Sequence, residues 1–351
     1  MSGRMKAAVL YGREDVRIEE VAVPRPAAGE LLLRTQVALT CGTDVKVYRR
    51  GYHARMIQPP AVFGHEVAGV VEEVGPGVEW LPPGTPVAVA NSAPCGECPY
   101  CRAGRPSLCD DLLFWNGAYA QFALIPERLV RGNLLPLRRG MSFRQAAMVE
   151  PLACVVRGVE QSRIAAGQTV AVVGTGPIGL MLVRLAKLSG ADVIAVGRNL
   201  ARLETARALG ADDTLAIGSG GDFAARLRSM AAHGQGPDVV IEAVGLPQTA
   251  EAAVRAVRKG GLINLFAGCP AGARIAVDAA HLHYQELTIL STFHHTPDSV
   301  RTAFRLIEEG QVDPDAFIGG EAGLNDLPAV LARLARSGGS LKTAILTWGE
   351  A

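Results

Sequence analysis

The chain has 351 residues, 49% of them hydrophobic, with 35 basic against 34 acidic side chains. Charge this balanced gives nucleic acid or an anionic membrane no handle, no run of about 18 apolar residues offers a bilayer span, and Met1–Tyr11 lacks the apolar core of a signal peptide. Composition therefore points to a cytoplasmic protein of two domains, with no nucleic-acid or membrane partner. Its seven cysteines, four of them between Cys95 and Cys109, suit metal binding in a reducing compartment better than disulfides.

From Lys6 to Val37 the short apolar runs Ala7–Leu10 and Leu31–Leu33 alternate with charges around the turn Pro24–Gly29, which predicts antiparallel β-structure with one wet face. Cys41-Gly42-Thr43-Asp44 follows, then Gly64-His65-Glu66 and a glycine-punctuated β-stretch, Val67 to Val89. Cysteine, histidine and glutamate offer sulfur, nitrogen and oxygen donors, a set that suits Zn²⁺. Taken singly, a cysteine is usually a small core residue and a His-Glu pair usually a surface hydrogen bond.

Cys95, Cys98, Cys101 and Cys109 form C-x2-C-x2-C-x7-C in a loop with Pro94, Gly96, Pro99, Gly104 and Pro106. Four thiolates close a tetrahedral zinc shell with no open position, so this pattern reads as a structural zinc site. An iron–sulfur cluster is the competing reading, but bacterial ferredoxins end a tighter spacing in Cys-Pro, and here Asp110 follows the last cysteine. Phe114–Ile125 is strand-like again. Met141–Val159 is helical, with Glu150-Pro151 inside it, and a proline there kinks or restarts the helix. Glu150 stands among Ala147, Met148, Val149, Leu152 and Ala153, and a buried carboxylate needs a partner.

Thr169 to Arg198 reads as one βαβ unit. The runs Thr169–Val173 and Asp192–Val196 are strands, Leu180–Leu188 has helical spacing, and Gly174-Thr175-Gly176-Pro177-Ile178-Gly179 is a GxGxxG turn between strand and helix. Gly174 permits the tight turn, Gly176 lets backbone approach a pyrophosphate, and Gly179 packs helix on strand. Strand and helix signals then alternate. Leu200–Leu209, Asp222–His233 and Pro247–Val257 read as helices, and Ala211–Ala216, Pro237–Ala243, Gly261–Ala267 and Leu287–Thr292 as strands, giving an α/β doubly wound parallel sheet of about six strands. Thr296-Pro297-Asp298 caps another helix, Leu327–Ser337 is one more, and Lys342–Thr347 a closing strand.

With these motifs in order, the chain resembles the zinc-dependent medium-chain dehydrogenase/reductase family over its whole length, and within it the polyol (sorbitol-like) and threonine dehydrogenase branch. The resemblance implies a GroES-like, β-rich catalytic domain from residues 1–151 with 294–351 returning to it, and a Rossmann domain from 152–293. It implies two zinc ions per chain, Cys41, His65 and Glu66 holding the catalytic one with Glu150 as direct or water-mediated ligand, and a homodimer or homotetramer. Thr43 resembles the hydroxyl that starts the proton relay, Asp44 a group that orients a ligand, and Lys342 a basic residue that contacts the cofactor pyrophosphate. The implied chemistry is zinc-assisted hydride transfer from an alcohol to nicotinamide.

Two departures from the family pattern matter. Lys46 stands where the alcohol and polyol enzymes have the histidine that ends the relay, so proton release runs through water or Lys46 contacts a cofactor phosphate. Gly197-Arg198 replaces the aspartate that binds the adenosine ribose of NAD, and Arg198 with Arg202 suits a 2′-phosphate, favouring NADP with NAD possible. Tyr48, Phe114, Trp115, His294 and His295 fall near positions that line the substrate cleft. The expectation is an NADP-preferring oxidoreductase acting on a secondary alcohol or ketone of a polyol, sugar or cyclitol. The alternatives are an L-threonine or amino-alcohol dehydrogenase using NAD and, more remotely, a non-catalytic NADP-binding redox sensor.

Overall fold

The computed structural model describes residues 3–53, 55–138, 140–218, 222–337 and 341–349. The chain forms two compact units, Met1–Ala153 with His295–Ala351, and Cys154–His294.

The first unit is built mainly on antiparallel sheet, with one parallel pairing, Ile318–Gly323 beside Lys342–Leu346. Its larger sheet runs in the order Leu134–Pro136, Pro86–Val89, Glu66–Val74, Leu31–Leu39, Lys342–Leu346 and Ile318–Gly323, with Phe122–Ile125 also paired to Leu31–Leu39. A smaller sheet joins Asp15–Ala22, Arg4–Gly12 and Ala61–Val62. The apolar runs seen in the sequence bury Leu10, Leu31, Leu33, Phe63, Tyr119 and Ile125 completely. Two pairings in the larger sheet place the chemistry: Leu39 opposes Glu66, and Ala344 opposes Leu39. The ends of three strands, carrying Cys41, His65-Glu66 and Lys342, are thereby neighbours.

The second unit is a six-stranded parallel sheet in the order Asp213–Ala216, Asp192–Gly197, Thr169–Val173, Val239–Glu242, Leu262–Leu265 and Thr288–Ser291. Its inner strands are continuous apolar runs because helices cover both faces of such a sheet. Ala171, Val173, Ile194, Val196, Val240 and Ile263 lie in one core.

The helical reading of Met141–Val159 resolves into Phe143–Ala146, capped by Ser142 and Gln145, and a restarted helix Val149–Ser162 with Pro151 in its first turn, where its missing N–H costs no bond. Asp222–His233 is shorter than its pattern, a helix over Ala224–Met230 and then a turn in which His233 takes φ 59°. The helix Gly42–Arg50 and the strand Ile318–Gly323 carried no recognisable start signal. Among the described residues no helix is long and apolar enough to cross a membrane.

Candidate active site and cofactor loop

Cys41 follows the strand Leu31–Leu39 and caps the helix Gly42–Arg50. Its sulfur accepts the N–H of Thr43 at 3.4 Å, while its own N–H donates to the Asp44 carboxylate at 2.8 Å, so Cys-Gly-Thr-Asp is a capping box with a thiol in the place of a hydroxyl. Asp44 is fully buried. It also accepts from the Tyr119 hydroxyl at 2.6 Å and lies 3.2 Å from Nδ1 of His65. With Nδ1 turned to a carboxylate, Nε2 of His65 is the nitrogen left for a metal, the usual arrangement of a ligating imidazole. Gly64 takes φ 90° against the Tyr119 ring, which a Cβ there would approach to 2.6 Å; this is why a glycine precedes the histidine.

Glu66 is fully buried and both its oxygens accept from Nζ of Lys342, at 2.5 and 2.6 Å. Lys342, expected on a cofactor phosphate, therefore has a partner inside its own unit, and Nζ donates in addition to the Thr40 carbonyl at 3.3 Å. Burial alone would lower its pKa, but the Glu66 carboxylate raises it above the ordinary lysine value. Glu150, 5% exposed, lies 3.8 Å from Nε2 of His295, which also meets Asn91 Oδ1 at 3.1 Å. Burial pushes the Glu150 carboxyl up to about 7. At Cys41, burial works to raise the thiol, yet Lys342 and His65 bring it down to about 7.

The metal fit can be tested on charge. Asp44, Glu66, Glu150 and the Cys41 thiol share this region with one lysine and two histidines, His65 and His295, so the acidic groups still outnumber the groups that can carry positive charge. Buried anions need compensation. A divalent cation supplies it, and the ligand atoms of Cys41, His65 and Glu66 lie within 4.8 Å of one another.

The four lobe cysteines pass a similar test, their sulfurs also lying within 4.8 Å of one another. Tetrahedral Zn–S bonds of about 2.3 Å require sulfurs about 3.8 Å apart. Cys95 lies 4.0 Å from Cys101 and 3.4 Å from Cys109. Backbone N–H groups already point at the thiols, Cys95 N at Cys109 Sγ (3.2 Å) and Cys98 N at Cys95 Sγ (3.3 Å). The N–H groups of Asp110 and Cys101 hold the Cys98 thiol down to about 6. This set fits zinc with every position closed.

In the second unit, the turn after Thr169–Val173 has the form its glycines predict. Gly174 takes φ 109°, and a Cβ on Gly179 would stand 1.7 Å from the Gly174 carbonyl. A Cβ on Gly176 would point into open space, so that backbone is approachable. Gly176 caps the helix Pro177–Leu188 without a side chain, Pro177 is its first residue, and half-buried Ile178 follows. Gly197 ends the second strand against Thr175, whose Oγ1 would lie 2.5 Å from an added Cβ. Arg198 is exposed and Arg202 half-buried; burial first, then the Arg198 charge, lowers the pKa of Arg202. The two cations are therefore close, and among the described residues neither has a carboxylate within 4.0 Å.

The residues expected to line a pocket divide. Tyr48 is buried in the core of the first unit, and Trp115 is 6% exposed with its indole N–H on the Leu124 carbonyl at 2.8 Å, which makes it a packing residue. Phe114 is half-buried in the short strand Leu113–Phe114. His295 is buried against Asn91 and Glu150, whereas half-buried His294 takes φ 61° and belongs to the second unit. Sequence reasoning missed Tyr119, Asn91 and the Glu66–Lys342 pair. Nothing local marks them, because each partner lies tens to hundreds of residues away in the chain.

Comparison with known proteins agrees with this geometry. Residues 27–134 match the family described as alcohol dehydrogenase GroES-like domain, and residues 177–309 match zinc-binding dehydrogenase. The chain is similar to a sorbitol dehydrogenase of Bacillus subtilis, 30% identical over 83% of this chain and 82% of that protein. It is similar also to an L-threonine 3-dehydrogenase of Pyrococcus abyssi, 33% identical over 90% of this chain and 89% of that one. Among solved structures, one from Sinorhizobium meliloti assigned as a zinc-binding dehydrogenase and bound to NADP superposes with a TM-score of 0.89 at 30% identity, covering 98% of this chain and all of the other.

Proposed function

The chain belongs to the zinc-dependent medium-chain dehydrogenase family, and from that premise we propose that it interconverts a secondary alcohol and ketone on a polyol, sugar or cyclitol, with NADP preferred over NAD. It is an oxidoreductase acting on CH–OH groups with zinc and a nicotinamide cofactor. The observation that carries the reading is the convergence of Cys41, His65 and Glu66 in a buried region short of positive charge.

Cys41, His65 and Glu66 would hold the working zinc, and Glu150 is the further carboxylate that shares their electrostatics. A zinc ion held there would supply the Lewis acidity that makes a hydroxyl acidic near neutral pH, and a bound nicotinamide would supply the hydride acceptor. Asp44 fixes the tautomer of His65, and Tyr119 fixes Asp44. Burial pushes the Glu66 carboxyl up to about 8, and Lys342, donating to both its oxygens, offsets part of that rise. Thr43, whose N–H donates to Cys41 Sγ at the start of its helix, would hydrogen-bond the reacting hydroxyl and begin the relay, accepting its proton as it passes its own onward. Cys95, Cys98, Cys101 and Cys109 would hold the structural zinc. The glycine turn and helix Pro177–Leu188 would hold the cofactor pyrophosphate, and Arg198 and Arg202 its 2′-phosphate.

The Pyrococcus relative favours a second reading, an L-threonine or amino-alcohol substrate. The deciding experiment offers polyols, sugars, cyclitols and L-threonine to the zinc-loaded protein with NADP and with NAD. Oxidation of a polyol or sugar, fastest with NADP and abolished in Cys41→Ser while NADPH still binds, supports the reading. Turnover confined to L-threonine, or unchanged turnover in Cys41→Ser, would refute it.

A further inference from the structure

The helix that begins at Cys41 ends in a knot of positive charge that the chemistry above leaves unused. Lys46 and Arg50 are four residues apart on the helix Gly42–Arg50 and share a face. Gly51, at φ 85°, ends the helix and turns the chain. The next turn closes on itself: His53 N donates to the Ile57 carbonyl at 3.0 Å, and Met56 N and Ile57 N both donate to the His53 carbonyl at 3.2 Å. His53 and Arg55 are thus carried on a closed turn directly after Arg50. Arg55 N donates to Nδ1 of His53 at 3.3 Å, so Nε2 is the nitrogen that bears the ring proton and can donate it.

The turn is also tied to the backbone that presents His65. Asn116 Nδ2 donates to the Met56 carbonyl at 3.2 Å, and the next residue, Gly117, donates its N–H to the Gly64 carbonyl at 2.9 Å. Among the described residues, none of Lys46, Arg50 and Arg55 has a carboxylate within 4.0 Å. His53 is held below its ordinary pKa by burial and then by Arg50, His65, Arg55 and Lys46, so each of these groups, His65 included, stands within electrostatic range of His53. Cations gathered without counter-charge beside a reaction centre attract and orient an anion.

We propose that Arg50, His53 and Arg55 form a subsite for an anionic end of the substrate, so that the hydroxylated chain oxidised here carries a carboxylate or a phosphate, as in a sugar acid or a polyol phosphate. This names the substrate class of the reading above and rests on it. A phosphate of the cofactor has the same chemistry as its rival source, and the two are separable by what each variant loses.

The test compares sorbitol, gluconate and sorbitol 6-phosphate as substrates of the zinc-loaded enzyme and of Arg50→Gln, Arg55→Gln and the double variant. The expected result is a preference of the native enzyme for an anionic member, whose KM rises about tenfold or more in the variants, as for loss of a charge-assisted hydrogen bond. Turnover of the neutral polyol and the Kd of NADPH stay unchanged. A higher Kd for NADPH with unchanged substrate KM would assign the cluster to the cofactor and overturn the proposal, as would equal use of neutral and anionic substrates. Should none of the three turn over, the reading of the reaction fails, yet calorimetric titration of gluconate and sorbitol 6-phosphate still decides the subsite. Saturable binding that disappears in the double variant supports it, and its absence overturns it.

Discussion

Tyr119 makes its contribution through another residue. Its hydroxyl donates to the Leu39 carbonyl at 3.0 Å and to Asp44 at 2.6 Å, and Asp44 in turn orients His65. Tyr119→Phe keeps the ring that packs on Phe63, so the fold should survive while the buried Asp44 loses a donor. Zinc affinity should fall about 10- to 100-fold, as when other groups behind a metal ligand are removed. Competition with a chromogenic chelator measures it, and unchanged affinity would show that Asp44 does not need the hydroxyl. In the proposed function, cofactor choice rests on Arg198. Arg198→Asp places a carboxylate where two guanidinium groups stand together, so NADPH should bind at least about tenfold more weakly and NADH no more weakly. Titration of the two cofactors reads this directly. Cys41, His65 and Glu66 stood out in the sequence as a candidate set because sulfur, nitrogen and oxygen donors in those motifs are uncommon company, and the structure brings their donor atoms together. Lys342 was not, since its partner Glu66 is 276 positions away.

At the scale of elements, the strand–turn–helix from Thr169 to Leu188 could be read from local pattern alone, because each of its glycines has a backbone reason. Gly179 is the most demanding. The 1.7 Å gap to the Gly174 carbonyl leaves no space for even one methyl group, so Gly179→Ala must push the helix Pro177–Leu188 off the turn. Overpacking of this kind costs about 1–3 kcal/mol or more. We expect a lower Tm and loss of NADPH binding, the first read by calorimetry and the second by fluorescence titration; a variant binding NADPH normally would mean the turn relaxes freely. The helix Gly42–Arg50 escaped sequence reading for an equally local reason. Its cap is a cysteine, which is not among the residues that signal a helix start, and the capping box became visible only with the Asp44 contact.

For the molecule as a whole, two metal sets of different character imply two zinc ions per chain with separable effects. The lobe has four thiols and no open position, so its metal contributes to folding, while the Cys41 set contributes to chemistry. Mass spectrometry of the native protein should find both ions. Cys98→Ser should release one and lower the Tm by several degrees, and Cys41→Ser should release the other and abolish turnover with little change in Tm. If Cys98→Ser melts like the native protein, the lobe is no structural centre.

The sequence by itself determined the classes of local structure, the four-cysteine cluster of the lobe and the glycine turn, because those depend on residues within a few positions of one another and on the donor chemistry of single side chains. Which of those residues meet was decided by the tertiary structure. The pairing of Leu39 with Glu66, and of Ala344 with Leu39, brings Cys41, His65 and Lys342 together from distant parts of the chain. Strand register and burial, neither of which is a local property, turned Trp115 into core, gave Glu66 its lysine and His65 its aspartate.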